Sequence, residues 1–400
     1  MKLSSESAAL LLLIAAVVAM LTRRLRLPYS AGLVAAGMGL ALLPFSPRLS
    51  LTKELLFTAL LPPLIFEAAF HIPWKPLRRD LAPILVLATA GVLLSAGVTS
   101  VGMYFVAHWD WLSALVFGVL IAATDPVSVV ATFREAGAQG RLLLLVEAES
   151  LFNDGTAAVF FGAAVAWTLG HSPTPLEMTV TILVMVGGGL LCGAVVAGVM
   201  LLLAGRAEDH LVEITFTTVA AYGSFLLAEH FHLSGVLATL TAGLMIGNLG
   251  PFGAISPRGR EAVQAFWDYA AFVANSLVFL LIGMHEAREN FAAVWIPAVA
   301  AILLVLLGRA VAIYPCCLLF SWSALRVSWR YQHILFWGGL RGALALALAL
   351  GLPPEVPARE SIITMTFAVV AFSVFAQGLT MTPLLRRFGE IPGPSPVRTE

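Results

Sequence analysis

Apolar runs of about twenty residues follow one another along the whole chain, and short polar breaks separate them. A helix of about twenty residues spans the roughly 30 Å hydrocarbon core of a bilayer. Buried helices of a soluble protein would explain one or two such runs, so their number predicts a polytopic membrane protein. The predicted transmembrane helices, numbered here as spans 1 to 13, cover residues 4–22, 28–46, 52–71, 81–107, 111–133, 142–169, 176–204, 210–229, 233–249, 262–284, 291–320, 331–351 and 361–385.

Composition supports the same interpretation. The 400 residues are 60% hydrophobic and 12% charged, whereas about 25% of a soluble protein is charged. The net charge of zero gives no reason to expect a nucleic acid or an acidic partner. No nucleophile elbow, Gly-x-Gly-Asp protease motif or cysteine pattern typical of a metal site is present, so neither an enzyme nor a bound cofactor is predicted.

The basic residues predict the orientation. One set of alternate loops holds sixteen of the 23 Lys and Arg residues, and the set that includes the N-terminus holds five. Those five are Lys2, Arg48, Lys53, Arg288 and Arg359. Because cytoplasmic loops carry the excess of positive charge, the N-terminus is predicted outside and the C-terminus in the cytoplasm. The expected location is the cell membrane, which is the inner membrane if the source is Gram-negative.

Thirteen spans allow an internal symmetry. Residues 1–387 are predicted to form one transport domain, followed by a short disordered cytoplasmic tail over residues 388–400. If spans 1–6 (about 4–169) match spans 8–13 (about 210–385), span 7 (about 176–204) is a linker and the repeats are inverted, as in many secondary transporters. The predicted fold is therefore all-α, with inverted six-helix repeats.

Spans 5 and 12 correspond under this symmetry, and both carry helix-breaking sequences. In span 5, Pro126 follows Asp125; it lacks an N–H and crowds the carbonyl four residues earlier. In span 12, three glycines surround Leu340 and Arg341, which weakens a helix at its centre. Both spans are therefore predicted to be discontinuous helices, because freed backbone groups and charges at mid-depth compensate each other.

Charged residues near the bilayer centre are costly and usually functional. At 1.5 Å per residue, Asp125, Asp154 and Arg341 lie roughly 21, 18 and 15 Å into their spans. Ser150 and Asp154 are four residues apart and share a helix face, where a hydroxyl and a carboxylate suit a small dehydrated cation. Glu149 and Asn153 form the neighbouring stripe, which suits holding another group in place.

A buried carboxylate can be neutralised by a proton or by a sodium ion, but not easily by both. If the protein changes conformation only when its site is neutral, the two ions exchange. This reasoning predicts a cation/proton antiporter. The alternatives are an Asp154–Arg341 pair that only holds the bundle together, a cation channel, and a sodium-coupled symporter. A symporter would need a cavity for an organic substrate, and no surplus of polar or aromatic residues lies beside the breaks.

Four segments together resemble the monovalent cation:proton antiporter family, which includes the NhaP-type exchangers and the animal sodium/proton exchangers. The resemblance extends from about span 1 to span 13. The segments are Leu61-Pro62-Pro63-Leu64-Ile65-Phe66-Glu67, Thr124-Asp125-Pro126, Glu149-Ser150-Leu151-Phe152-Asn153-Asp154-Gly155 and Phe336-Trp337-Gly338-Gly339-Leu340-Arg341-Gly342.

The resemblance implies an ion site. Asp154 would be the acid shared by the proton and the cation. Ser150, Thr124 and Glu67 would supply further oxygens around Na⁺, and Asp125 would lie where the broken helices cross. The family also implies a homodimer in the lipid bilayer and a role in pH and sodium homeostasis.

The resemblance also assigns supporting residues. Asn153 stands where electrogenic relatives have Asp, which implies electroneutral exchange of one cation for one proton. Glu149 would pair with Arg341 and hold span 6 against span 12.

Three questions stay open at this stage. Arg309 in span 11 fits a packing position in the family, but could equally pair with Asp268 or Glu213. Glu67 lies near a span end, where water could solvate it. The sequence does not distinguish K⁺ from Na⁺, with Li⁺ as a second transported ion, as the cation.

Overall fold

The computed structural model describes residues 5–25, 27–43, 52–170, 174–205, 209–250, 254–287 and 294–391, and within these ranges the secondary structure is helical, without strands. Lys2, Arg48, Arg288 and residues 392–400 of the predicted tail lie outside them. The helices are α1 (Ser5–Leu25), α2 (Tyr29–Ala41), α3 (Leu55–His71), α4 (Trp74–Val106), α5 (Trp111–Ala122), α6 (Pro126–Ala136), α7 (Arg141–Thr168), α8 (Pro175–Ala204), α9 (His210–His230), α10 (Gly235–Leu249), α11 (Pro257–Glu286), α12 (Trp295–Leu318), α13 (Trp329–Trp337), α14 (Ala343–Leu350) and α15 (Arg359–Arg387).

Six of the described helices are long and apolar enough to cross a membrane, and four shorter helices are also apolar. The six are α4, α8, α9, α11, α12 and α15; the four are α2, α3, α5 and α10. Apolar helices on this scale are what a multi-pass membrane protein requires, because every backbone polar group within a bilayer must be paired inside the protein.

The start of α4 differs most from the prediction, since the helix begins at Trp74 and not at residue 81. The first turns are polar, so a search for apolar residues misses them. An ion pair stabilises this part of the helix: Asp80 is buried, and Nη2 of Arg141 donates to its Oδ1 at 2.7 Å. Nη1 of Arg141 also donates to the carbonyl oxygen of Arg326 at 2.8 Å, which ties the starts of α4 and α7 to the segment before α13.

The predicted interruptions of spans 5 and 12 are confirmed. Residues 123–125 separate α5 from α6, and residues 338–342 separate α13 from α14. The two breaks touch, because the backbone N–H of Asp125 donates to the carbonyl oxygen of Leu340 at 2.8 Å. These two segments are called the crossing below. Each break thus satisfies a polar group that the other has freed from its helix.

Close backbone packing joins α2 to α11. A Cβ atom added to Gly37 would collide with the carbonyl oxygen of Leu280, and one added to Gly283 would collide with that of Val34. Small residues allow this kind of approach between apolar helices, where van der Waals packing replaces the hydrophobic effect. The contact therefore depends on the absence of a side chain at both glycines.

We expect Gly37→Ala to lower the melting temperature of the purified protein, because the added methyl group must push α2 away from α11. Gly39→Ala is the matched control, since no atom lies within 4 Å of a Cβ atom at Gly39 on the same helix. The control should be neutral or slightly stabilising, because alanine is favoured over glycine in a helix by about 1 kcal/mol. Equal melting temperatures for the two variants would contradict the packing described here.

Candidate functional site

Asp154 lies in the middle of α7, which runs unbroken past the crossing. Its side chain is buried, and Oδ1 has no hydrogen-bond partner among the described residues. Ser150 is buried one turn earlier on the same face. An unpaired carboxylate oxygen in a buried setting is costly, so this position suits a group that is neutralised by a bound ion or proton.

The crossing contributes two more of the predicted site residues. Thr124 is buried in the first break, and its Oγ1 is a second buried oxygen without a hydrogen-bond partner in the described chain. Asp125 is adjacent, and its carboxylate interacts electrostatically with that of Asp154. The structure therefore brings together four of the predicted site residues: Thr124, Asp125, Ser150 and Asp154.

The carboxylate of Asp125 lies at the N-termini of two half-helices. It accepts a hydrogen bond from Oγ of Ser128 at 2.6 Å in the first turn of α6. It also lies against Gly342, directly before α14, where any added Cβ atom would overlap it. Helix N-termini carry a partial positive charge that favours an anion. Only glycine at position 342 leaves room for this contact.

The prediction that Glu149 pairs with Arg341 is wrong. Arg309 on α12 binds it in a bidentate manner, with Nη1 donating to Oε1 at 2.7 Å and Nη2 donating to Oε2 at 2.9 Å. Both side chains are buried. Nδ2 of Asn153 donates to Oε1 of Glu149 at 3.3 Å. The guanidinium of Arg309 thus occupies both oxygens of Glu149 and leaves Arg341 to other contacts.

The two acids considered as alternative partners of Arg309 make other contacts. Oε1 of Glu213 accepts a hydrogen bond from the backbone N–H of Ser256 at 3.0 Å, before the start of α11. Asp268 lies 3.4 Å from Nε2 of His71.

Arg341 lies within the second break and is buried. Its backbone N–H donates to Oγ of Ser373 at 2.7 Å, and its Nη1 donates to the carbonyl oxygen of Gly339 at 3.0 Å. Nη2 of Arg309 donates in a similar way to the carbonyl oxygen of Leu335, in the last turn of α13, at 3.0 Å. The two arginines thus satisfy carbonyl groups that the end of α13 leaves unpaired. Arg341 also interacts electrostatically with Asp154.

Sequence reasoning did not identify the contribution of α15. Ser373 and Gln377 begin and end a π-helical stretch of this helix. Nε2 of Gln377 donates to the carbonyl oxygen of Trp337 at 3.1 Å, so both residues bind the second break. Two polar residues four apart in an apolar span share one helix face, and this spacing was the available signal.

A cavity of about 230 Å³ approaches the crossing from one side, and we call it the Glu147 cavity. Its wall includes Glu147 of α7, Pro126 of α6 and Glu67 of α3. Oε1 of Glu67 is 3.2 Å from Nδ1 of His71. Glu67, the fifth predicted ligand, therefore borders the same cavity as the first residue of α6.

A second cavity, of about 250 Å³, is called the Glu229 cavity. Its wall includes Ala158 of α7 and Ala347 of α14, together with Lys53, Glu229 and His232. Along α7, the order is Glu147, Asp154 and Ala158. At 1.5 Å per residue, Asp154 is about 10 Å along the helix from one cavity wall and about 6 Å from the other.

Three comparisons relate the chain to known proteins. The family model described as "Sodium/hydrogen exchanger, transmembrane" matches residues 10–387. The Na⁺/H⁺ antiporter ApNhaP of Aphanothece halophytica is 38% identical over 372 residues, which cover 92% of this chain and 70% of that protein. The Na⁺/H⁺ antiporter NhaH of Halobacillus dabanensis is 34% identical, with coverage of 96% and 97%.

Among solved structures, the sodium proton antiporter MjNhaP1 of Methanocaldococcus jannaschii at pH 8 matches with a TM-score of 0.77. The match covers 95% of this chain and 97% of that one, at 20% identity, and shows that the fold is shared. The family model covers nearly the whole chain and both broken helices. The chain therefore belongs to the sodium/hydrogen exchanger family of transmembrane proteins.

Proposed function

We propose that this protein exchanges Na⁺ for H⁺ across the membrane, with Li⁺ as a second transported cation, and that cation and proton compete for Asp154. The observation that carries the proposal is the buried Oδ1 of Asp154, which has no hydrogen-bond partner among the described residues and lies on α7 between the residues that line two cavities. The names of the relatives from Aphanothece halophytica and Halobacillus dabanensis support the ion pair Na⁺ and H⁺.

The proposed Na⁺ ligands are Asp154, Ser150, Thr124 and Glu67. The buried oxygens of Asp154 and Thr124, both without hydrogen bonds in the described structure, support the first and third. Oxygen atoms must replace the hydration shell of a small cation, and such ligands are hard carboxylate and hydroxyl groups. Asp125 serves the crossing in this proposal by compensating the positive ends of α6 and α14. No resident cofactor takes part.

The residue beside Asp154 supports exchange of one cation for one proton. Asn153 is buried and carries no charge, so a single Na⁺ or a single proton can neutralise Asp154. We therefore propose electroneutral exchange.

The proposed transport domain covers residues 1–387 and has thirteen spans in inverted repeats, about 4–169 and 210–385, with 176–204 as linker. The cavities support this symmetry. The Glu147 cavity borders α6 and the Glu229 cavity borders α14, and these are the second halves of the two broken helices. Inverted repeats put such halves on opposite sides of the membrane. Alternating access would open Asp154 to each cavity in turn.

The remaining parts of the proposal concern the surroundings. The distribution of basic residues supports a cell-membrane protein with the N-terminus outside and the C-terminus, including residues 388–400, in the cytoplasm. The helix α8 is mostly exposed, which suits contact with lipid or with the second copy in a homodimer. Export of Na⁺ in exchange for protons that enter the cell would serve pH and sodium homeostasis.

In proteoliposomes with an acidic interior, adding Na⁺ or Li⁺ outside should dissipate the pH gradient. We expect Asp154→Asn to reduce this signal to that of empty liposomes, because a neutral amide neither needs a counter-ion nor carries a proton. Asp209→Asn is the control, since asparagine also caps a helix N-terminus and Asp209 lies exposed before α9. Normal exchange by Asp154→Asn would refute the site. A response to K⁺ alone would favour a K⁺/H⁺ antiporter, and uptake of protons together with Na⁺ would favour a symporter.

Electroneutral exchange predicts that a membrane potential does not drive it. Proteoliposomes with a Na⁺ gradient should acidify or alkalinise at the same rate when valinomycin and K⁺ impose opposite potentials. The substitution Asn153→Asp is the informative variant, because an additional acid beside Asp154 would change the charge of the site. Potential-driven exchange by the unmodified protein would contradict a ratio of one to one.

The ion pair between Glu149 on α7 and Arg309 on α12 predicts that substitutions of these two residues are coupled in their effect on stability. Glu149→Gln and Arg309→Gln should each lower the melting temperature, because each leaves a buried charge unpaired, at a typical cost of about 3–5 kcal/mol. The double variant should recover part of this loss. The matched pair Glu149→Gln with Arg341→Gln should show a smaller coupling, because the described contacts include no hydrogen bond between these side chains. Stronger coupling to Arg341 would show that the pairing is wrong.

A further inference from the structure

A second cluster of ionisable side chains lies at the end of α3 and shares Glu67 with the proposed Na⁺ site. His71 lies between two acids: Nδ1 is 3.2 Å from Oε1 of Glu67, and Nε2 is 3.4 Å from Oδ1 of Asp268 on α11. One ligand atom from each of the three residues can be chosen so that all lie within 4.8 Å of one another. An imidazole nitrogen and two carboxylate oxygens are thus close together on two helices.

The backbone determines how the imidazole ring is protonated. Nδ1 of His71 is 3.0 Å from the carbonyl oxygen of Glu67. A carbonyl can only accept, so Nδ1 carries a proton. Nε2 faces the carboxylate of Asp268 and is the nitrogen at which a metal ion can take the place of a proton. A ligating histidine usually donates its other N–H to a carbonyl or a carboxylate, and the arrangement here is the same.

The cavity beside this cluster has a further buried acceptor, the amide oxygen of Asn275. Glu67 and Asp268 line the Glu147 cavity together with Asn275, which is 6% exposed. Oδ1 of Asn275 has no hydrogen-bond partner among the described residues. Arg23 also lines the cavity, but three carboxylates and an amide oxygen outnumber it. The cavity wall therefore favours a cation.

We propose that His71, Glu67 and Asp268 form a binding site for a divalent transition-metal ion such as Zn²⁺ on the wall of the Glu147 cavity. Zn²⁺ binds imidazole nitrogen and carboxylate oxygen at about 2.0–2.2 Å. Ligand atoms that lie up to 4.8 Å apart must move closer to reach such distances, and Asp268 can adjust because half of its side chain is exposed.

The position of the site gives the bound metal an effect on transport. Pro126 and Glu147 line the same cavity, so a divalent ion at His71 repels a monovalent cation that approaches the crossing. We infer that the metal inhibits exchange. This second step rests on the proposed antiport function, whereas the binding itself does not.

Isothermal titration of the purified protein with Zn²⁺ tests the site without any transport. We expect one ion per chain, with binding weakened at least about tenfold in His71→Gln and in Asp268→Asn. His230→Gln is the matched control, because His230 is an exposed histidine at the end of another helix. Asp268→Asn guards against misfolding of the His71 variant, since Asp268 is half exposed. Equal binding by all four proteins would overturn the metal site.

Exchange in proteoliposomes tests the inhibition, with each variant compared with its own rate in chelator. Zn²⁺ should slow exchange by the unmodified protein and by His230→Gln, and His71→Gln and Asp268→Asn should need at least about tenfold more Zn²⁺. Binding by calorimetry without any slowing would overturn the inhibitory step. If the unmodified protein exchanged nothing in chelator, the antiport proposal would fail while the calorimetric result on the metal site would stand.

Discussion

The crossing of two interrupted helices is the constraint on which the central structure depends. Inside a bilayer no water is available for freed N–H and C=O groups, and each unpaired group costs several kcal/mol. The hydrogen bond from the N–H of Asp125 to the carbonyl of Leu340 pairs one group from each break. The positive ends of α6 and α14 meet the carboxylate of Asp125. The side chains of Arg309 and Arg341 donate to carbonyls of Leu335 and Gly339, at and just after the end of α13. The breaks create the polar centre and also require these charges.

The division of work between the two arginines follows from this constraint. Arg309 is occupied by both oxygens of Glu149 and by a carbonyl of α13. Its guanidinium therefore holds α7, α12 and α13 together in a fixed geometry. The side chain of Arg341 makes fewer of the described hydrogen bonds than that of Arg309, and it interacts electrostatically with Asp154. Because Arg309 binds both oxygens of Glu149, it does not form a bidentate pair with Asp154. A site for exchangeable ions needs an acid that is not held in such a pair.

Much of this arrangement could be predicted from the sequence, and the exceptions share one cause. Pro126 and the glycines around Arg341 have local effects on the backbone, so the positions of both breaks were predictable. Ser150 and Asp154 are on one helix, so their shared face followed from helical spacing alone.

The partner of Glu149 could not be predicted in this way, because it depends on which helices face each other. Depth within a span makes Arg309 and Arg341 equivalent candidates, and only the packing of α12 against the centre distinguishes them. The polar start of α4 was missed for a similar reason: the ion pair between Asp80 and Arg141 is a tertiary contact that hydropathy does not detect.

The distance between the cavities limits how the protein can move. From Glu147 to Ala158 is eleven residues of one continuous helix, or about 16 Å, so the walls of the two cavities lie only that far apart along α7. A charge crossing a low-dielectric barrier is strongly disfavoured, whereas a neutral Asp154 with its cation or proton is not. A small displacement of α7 and of the half-helices α6 and α14 against their neighbours would then be enough to close the path from Asp154 to one cavity and open the path to the other. The negative charge of an empty Asp154 would thus block movement of the empty site, and this is the condition for antiport without a leak.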